Sequence, residues 1–418
     1  MFNVSIMSIG DEICIGQIVN SNAAWIAYKF TDLGANVFEH ITIGDDATAM
    51  KNVLDELLPK SDLVLLTGGL GPTHDDITKP VLVEYFDDEL EFDEETYENI
   101  CILLERRGLK ITERIKQMSM LPKSCKILYN GVGAAPGMLF ERNGKYVVSL
   151  PGVPSEMKFI MTNSVLPMVE KIIDKLGDDI VLYKTLMTSG VPESVLADKI
   201  GNVDAFLRDS DSLAFLPSYK GVRLRIGVRG SKGYAEKRLQ EIEKYIRDRV
   251  DEYIIAGDDV SLAEVVGKTL ADAGETVAVA ESCTGGLLGG EFTSVSGSSA
   301  YFAGGVIAYS NEIKEKILGV EHQILIEHGA VSRETAEQMA QNVRSKFNVD
   351  YGISITGIAG PTGGTPDKPV GTVWIAVSSK EGNIAKKFNF GADRNVNRQR
   401  SVGAALNLLL QTIKTTGK

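Results

Sequence analysis

Thr276-Val277-Ala278-Val279-Ala280-Glu281-Ser282-Cys283-Thr284-Gly285-Gly286 is the stretch whose reading decides this chain. Its first five residues form a short β-branched and apolar run, the pattern of a buried strand. Two glycines close the stretch, and residues 287–292 can continue as a helix. A strand that turns tightly into a helix presents free N–H groups, which attract anions. A hydroxyl there, Ser282 or Thr284, sits beside ready-made donors for a developing negative charge. The same residues also describe an ordinary N-cap, so the stretch by itself leaves both readings open.

Working outward, residues 262–273 read as an amphipathic helix that feeds this strand. Downstream, strand 304–309 ends at Tyr309, and Ser310 or Asn311 can cap a helix over 312–318. That places Lys314 in the first turn, where a cation gains nothing from the helix macrodipole. With partial burial its pKa would fall and it would become a usable base. Taken alone, beside Lys316, it reads first as one of several solvated lysines. Strand 351–356 then runs into a second glycine loop, with Gly357, Gly360, Gly363 and Gly364, before strand 372–377. So long a loop in a compact domain favours binding. Arg394 and Arg398 open a helix running to Leu410, and guanidinium forks suit bidentate contact with phosphate.

The first 170 residues have their own logic. Strands 4–9, 35–43 and 62–67 alternate with helices 23–33 and 47–58, the pattern of a parallel sheet covered on both faces. Ligands of such sheets gather at the carboxyl ends of the strands. Here those ends read Gly10-Asp11-Glu12, with Asn20 shortly after, Gly44-Asp45-Asp46, and Thr67-Gly68-Gly69-Leu70-Gly71-Pro72-Thr73-His74-Asp75-Asp76. The glycines can bring backbone N–H groups close to a phosphate. Asp75 and Asp76, with Asp11 and Asp45, could hold a hard divalent cation against it. Each Gly-Asp alone would be a turn; three on one sheet edge point to a site. The segment 92–107 and the stretch 110–120 read as structural or as a lid.

Between these regions, residues 178–256 follow the order strand, helix, strand, strand, helix, strand, which is the split β-α-β, ferredoxin-like arrangement. Arg223, Arg225 and Arg229 share one strand face. Gly230-Ser231-Lys232-Gly233 resembles a GxxG clamp, but no interleaved aromatics accompany it. We read the segment as a spacer or assembly module.

The 418 residues are 44% apolar and 24% charged, ordinary globular composition for two to three domains. A net charge of −12 weighs against non-specific binding to nucleic acid or an anionic membrane. No apolar run approaches the length of a membrane span, and no basic, apolar leader precedes the first strand. Four scattered cysteines make neither a CxxC pair nor a disulfide framework. The expected location is the cytoplasm.

Taken together, TGGLGPTHDD, GDEICIGQIVNSN, GAAPGM and LPGVPSEM resemble the N-terminal domain of the CinA family, itself similar to molybdopterin-binding domains. AESCTGG, GSSAYFAGGVIAYSNEIK, SITGIAGPTGG, KPVGTVW and DRNVNR resemble that family's C-terminal domain. The resemblance implies three domains: 1–170, molybdopterin-binding-like and doubly wound α/β; 178–256, KH-like; and 258–418, α/β. It implies an ADP-ribose pyrophosphatase using Mg, Mn or Co in the first. In the last it implies a nicotinamide mononucleotide (NMN) deamidase that requires no cofactor. Ser282 would be nucleophile, Lys314 base, Tyr309 a relay or positioning group, and N–H groups near Thr284, Gly285 and Gly286 the oxyanion donors. His328 is the rival base, and the rival function a non-catalytic nucleotide sensor or scaffold linked to competence or DNA damage. We expect a homodimer.

Overall fold

The computed structural model describes every residue except His74, Ile111, residues 177–179, Asp258, Gly417 and Lys418. Its chain divides into two compact units, Met1–Tyr183 with Gly227–Glu241, and Lys184–Ile226 with Ile242–Lys418. Among the described residues no helix is long and apolar enough to cross a membrane.

The N-terminal region carries β1 (Asn3–Ile9), β2 (Asn36–Ile43), β3 (Leu63–Thr67), β4 (Leu90–Phe92), β5 (Met120–Pro122), β6 (Lys126–Leu128), β7 (Gly137–Arg142) and β8 (Lys145–Leu150). Six of these form one sheet in the order β2-β1-β3-β8-β7-β6, and β4 pairs with β5 in a separate ribbon. Successive strand residues point to opposite faces, which splits the apolar runs between two cores. Ile6 and Leu65 pack under helix Ser21–Asp32 with Ile26 and Phe30. Met7 and Leu66 pack under helix Ala47–Leu57 with Met50 and Leu54. Each of these side chains contributes about 1.5–3 kcal/mol by burial.

Parallel pairing holds for β1, β2, β3 and β8. It fails beyond β8, because β7 runs antiparallel to both β8 and β6. The parallel pairing expected for the first three strands holds, and the later strands make the sheet as a whole mixed. The cause is local: Asn143 (φ 55°) and Gly144 (φ 73°) form a two-residue turn, the strongest short hairpin signal.

The middle module contains β9 (Ile180–Thr188), helix Glu193–Ile200, β10 (Asp211–Ser218), β11 (Gly221–Gly230), helix Lys232–Val250 and β12 (Ile254–Ala256). Its sheet order, β10-β11-β9-β12, is that of a split β-α-β layer. On β11 the buried Val222, Leu224 and Ile226 alternate with Arg223 and Arg225, as the spacing requires.

The C-terminal sheet is built from β13 (Val277–Glu281), β14 (Phe302–Ile307), β15 (Tyr351–Gly357), β16 (Thr372–Ser379) and β17 (Gly382–Asn389), in the order β14-β13-β15-β16-β17. β13 lies parallel to both neighbours, whereas β15, β16 and β17 are antiparallel. Helices Leu262–Ala273 and Arg394–Thr416 cover one face with Val266, Leu270, Leu406 and Leu409. Helix Arg333–Phe347 covers the other with Met339 and Val343. β17 escaped the sequence reading because Lys386 and Lys387 interrupt it and nearly all of it is exposed, as suits a protected edge strand.

Candidate active sites

Every residue of β13 is buried, and parallel neighbours on both sides fix its carboxyl end inside the sheet. Ser282 follows at once, its N–H donating to Ile355 O at 2.9 Å. Ser282 as a whole is nearly buried, at 7% exposure. The helix expected over 312–318 is a short turn, Asn311–Ile313, capped by Ser310 Oγ and continuing as a π-helical turn over Lys314–Leu318. Such π turns recur at functional sites. Here the turn carries Lys314 into the interior, where only 1% of it is exposed.

Lys314 Nζ lies 3.1 Å from Ser282 Oγ and donates to Ala308 O at 2.7 Å and Tyr309 O at 3.3 Å. Burial pushes its pKa from the ordinary 10.5 down to about 8. The solvated-lysine reading is thereby excluded. An amine with that pKa, in reach of a hydroxyl, is suited to take its proton. Cys283, the neighbouring thiol, is the wrong nucleophile for a physical reason: it packs into the core, and burial pushes its pKa up to about 11. His328 is 42% exposed and faces Glu327 and Glu334 at 3.8 Å, while Lys314 occupies the position beside Ser282.

The glycine turn differs from expectation. Glu281, 1% exposed, accepts from Gly286 N (3.0 Å), Leu288 N (3.1 Å) and Gly289 N (2.8 Å). Gly285 N donates to Ser282 O at 3.1 Å. The N–H groups of Gly285 and Gly286 are therefore engaged internally and do not face a substrate oxyanion. The turn attracts an anion, as helix N-termini do, but the chain supplies its own. The Thr284 N–H has no acceptor among the described residues. Thr284 itself is fully buried, and its Oγ1 has no partner.

Arg394 joins three elements that the sequence separates. Its Nη1 donates to Gly360 O at 2.8 Å and its Nη2 to the exposed Tyr309 hydroxyl at 3.3 Å. Arg398 Nη2 donates to Thr284 O at 2.8 Å, and its buried Nε has no partner. Gly357 and Gly360 are packing requirements, since a Cβ would press on Val373 and Val370 respectively; Gly363 is open to within 3.7 Å of Ile358. Asn397 was missed in the sequence. Its buried amide donates to Ala359 O and Gly391 O, tying the second glycine loop to the C-terminal helix. Nothing in a lone helical asparagine signals that.

In the N-terminal sheet the ends of β1, β2 and β3 open on a cavity of about 610 Å³, lined among others by Asn20, Asp45, Thr67, Gly69, Asp75 and Glu156. Gly68 (φ 115°) is obligatory, because a Cβ there would collide with Ile9 O. Thr67 Oγ1 bridges Asn22 Nδ2 and Pro151 O, both at 3.1 Å. Asn20 is the N-cap of helix Ser21–Asp32, accepting from Ala23 N at 3.1 Å and donating to Ser8 Oγ at 2.8 Å. Gly71 N does not face the cavity as a phosphate donor, because Asp76 Oδ1 accepts it at 2.7 Å. Glu156, held by Asn130 Nδ2 at 2.6 Å, and Asn22, whose buried Oδ1 lacks a partner, went unread in the sequence. His74 of this loop lies outside the described residues.

The carboxylates here form two sets. Asp76 is held by Gly71 N and by the N–H and hydroxyl of Thr73, so it organises the loop and does not fit as a cation ligand. Asp11 and Asp45 exchange backbone-to-carboxylate hydrogen bonds at 3.1 and 3.2 Å. Burial, then the charges of Asp11, Glu12 and Asp75, hold the Asp45 pKa above the ordinary range. Among the described residues no three ligating groups converge on one point. Magnesium-type ions are commonly held by one or two carboxylates with substrate phosphates completing the shell, and Asp11, Asp45 and Asp75 fit that donor set.

With this geometry in view, three family patterns match the chain. The probable molybdopterin binding domain covers residues 5–171, the damage-inducible protein CinA KH domain 183–256, and the CinA C-terminal domain 259–413. A CinA-like protein of Salinibacter ruber is 41% identical over 409 residues, spanning 98% of each chain. Another from Chloroherpeton thalassium is 42% identical over 420 residues, spanning 98% of this chain and 99% of its own. The solved structure of a competence/damage inducible protein from Agrobacterium tumefaciens is 38% identical over 36% of this chain and 92% of its own, with a TM-score of 0.35. Molybdopterin-binding-like, KH-like and CinA C-terminal segments thus follow one another along a chain that belongs to the CinA family.

Proposed function

We propose that the C-terminal domain hydrolyses the carboxamide of NMN, giving nicotinic acid mononucleotide and ammonia. The observation that carries this reading is the buried Ser282–Lys314 pair at 3.1 Å, with Lys314 lowered to about 8. Lys314 in its neutral form takes the Ser282 proton as Oγ attacks the carbonyl carbon. The Thr284 N–H, still without an acceptor, is the candidate oxyanion donor. The Lys314 ammonium, steadied by Ala308 O and Tyr309 O, returns its proton to the departing nitrogen as the C–N bond breaks. Water, relieved of a proton by the same amine, then hydrolyses the acyl-serine. Arg394, exposed beside Tyr309 and the second glycine loop, is placed to grip the phosphate. The test is NMN turnover by purified Ser282→Ala and Lys314→Ala variants; wild-type rates in either would remove the pair from the reaction.

A second reading, for the N-terminal domain, is cleavage of ADP-ribose to AMP and ribose 5-phosphate. The cavity of about 610 Å³ and the coupled Asp11, Asp45 and Asp75 carboxylates favour it. Those three carboxylates would hold a divalent ion (Mg, Mn or Co), which would neutralise pyrophosphate charge when bound. Asn22 and the backbone from Thr67 to Leu70 would orient the substrate. ADP-ribose turnover with and without added divalent ion checks this, and metal-independent hydrolysis would overturn the ligand assignment. We place both reactions in a cytoplasmic homodimer with small nucleotides, not nucleic acid, as partners.

A further inference from the structure

The unit formed by Lys184–Ile226 and Ile242–Lys418 contains a second cavity, of about 550 Å³, and none of the Ser282 site residues lines it. Its size falls within the usual range for small-molecule sites, roughly 300–1,000 Å³. The turn after β9, the β10–β11 turn, strand β17 and the middle of the C-terminal helix form its walls. Two glycines let those turns come down on the helix. A Cβ at Gly403 would lie 2.8 Å from Tyr219 O, and one at Gly190 (φ 75°) 2.8 Å from Asn407 Nδ2.

The lining combines three chemistries. Phe388 and Phe390 are stacked at 5.4 Å between centroids, and the half-exposed Tyr219 ring lies 5.8 Å from the Arg400 guanidinium. Lys386 and Arg400 have no carboxylate partner among the described residues: Lys386 donates to Gln411 Oε1 at 3.3 Å and Arg400 to Phe390 O at 3.2 Å. Glu193 and the Glu291-paired Lys220 also line the cavity. In a chain of net charge −12, two cations hydrogen-bonded only to neutral oxygens still leave its lining with a surplus of positive charge and favour an anion there. The Asn407 amide, half-buried in the wall, makes no hydrogen bond to any described residue. A carboxamide presents donor and acceptor in one plane, the complement of the N6/N7 edge of adenine.

We propose that this cavity binds an adenine nucleotide, with the base against the aromatic walls and Asn407, and the phosphate on Lys386 and Arg400. The proposal is independent of the two reactions above. The experiment uses the full chain carrying Tyr219→Trp, which keeps a ring on Arg400 and adds a fluorescent reporter at the cavity. Titration with 5′-AMP is expected to give a saturable change absent from the chain without the reporter. Lys386→Ala with Arg400→Ala, both at exposed positions, should weaken it at least about tenfold, and adenosine should bind the reporter chain with both cations intact more weakly than 5′-AMP by a similar factor. Asn407→Leu should abolish an approximately tenfold preference for 5′-AMP over inosine 5′-monophosphate, which lacks the N6 donor. That loss of discrimination is not expected from general destabilisation. Absence of a saturable reporter change at millimolar 5′-AMP, or an unchanged affinity in the doubly substituted chain, would overturn the proposal.

Discussion

The turn after β13 and the turn after β3 are both glycine-rich, and both follow a buried strand with parallel neighbours, yet they are finished differently. After β13 the chain supplies its own anion: Glu281 accepts three N–H groups, and Lys314 is buried against Ser282 with carbonyls as its other partners. After β3 Asp76 turns inward to hold the loop, while Asp45 lies at a cavity with its pKa raised by burial and by the charges of Asp11, Glu12 and Asp75. On the reactions proposed above, a cation and a pyrophosphate would complete the second arrangement and a carboxamide the first. One kind of local sequence is thus finished by a buried amine in one place and by a cluster of carboxylates in the other.

The largest expected effect separates the two regions. Ser282→Ala should lower NMN deamidation by roughly 10³-fold or more, as loss of a catalytic nucleophile does, and leave ADP-ribose hydrolysis intact. Asp45→Asn should do the reverse, measured on the same preparations. Joint loss in either variant would mean that the two reactions are not independent.

Next in size is the internal anion. Glu281→Gln replaces an acceptor of three hydrogen bonds by a group that must donate from one of its two atoms. A cost of about 2–3 kcal/mol in denaturant unfolding is expected, from buried donors left unmatched. Deamidation should fall with kcat more than KM, because Ser282 is displaced and substrate binding is not. An unaltered unfolding midpoint would show that Glu281 does not hold the turn.

The pH dependence is comparable in size and has a definite sign. Lys314 titrates near 8 in the folded chain and at the ordinary 10.5 when unfolded. Below pH 8 both states are protonated and the cost of burying the charge is felt in full. Between pH 8 and 10.5 the unfolded state holds more protons, so stability rises, by about 3 kcal/mol in all. Wild type should therefore gain on Lys314→Met between pH 7 and pH 10 in paired denaturation curves. The same titration should raise kcat/KM for NMN to a plateau above about pH 8; a flat profile would point to another base.

The smallest effect tests how much of the N-terminal edge is scaffold. Asn20→Ala removes the cap of helix Ser21–Asp32 and its bond to Ser8, and should cost about 1 kcal/mol. If Asn20 only caps, KM for ADP-ribose stays unchanged; a tenfold rise would give it a place in binding.

Much of this was legible along the chain. Helices Glu193–Ile200 and Leu262–Ala273 stand where the apolar spacing put them, because each buries one stripe and is closed by local signals such as the Ser261–Glu264 capping box. β17 was hidden by its polar edge character, and the reversal at β7 by the βα alternation that precedes the Asn143-Gly144 turn. At the sites, residue types were readable but ownership of hydrogen bonds was not. Gly286 and Gly71 carry free N–H groups in any local reading, and only the folded chain shows that Glu281 and Asp76 accept them.

The sequence by itself determined where strands end in glycine turns, that a serine hydroxyl follows one of them, and that acidic residues follow the others. These properties depend on periodicity and backbone preference over a few residues. Only the tertiary structure decided that Lys314, 32 residues on, is buried against Ser282 and that Arg394 meets both Tyr309 and Gly360. Such meetings depend on how whole elements pack, and the desolvation that turns a lysine into a base exists only once that packing is complete.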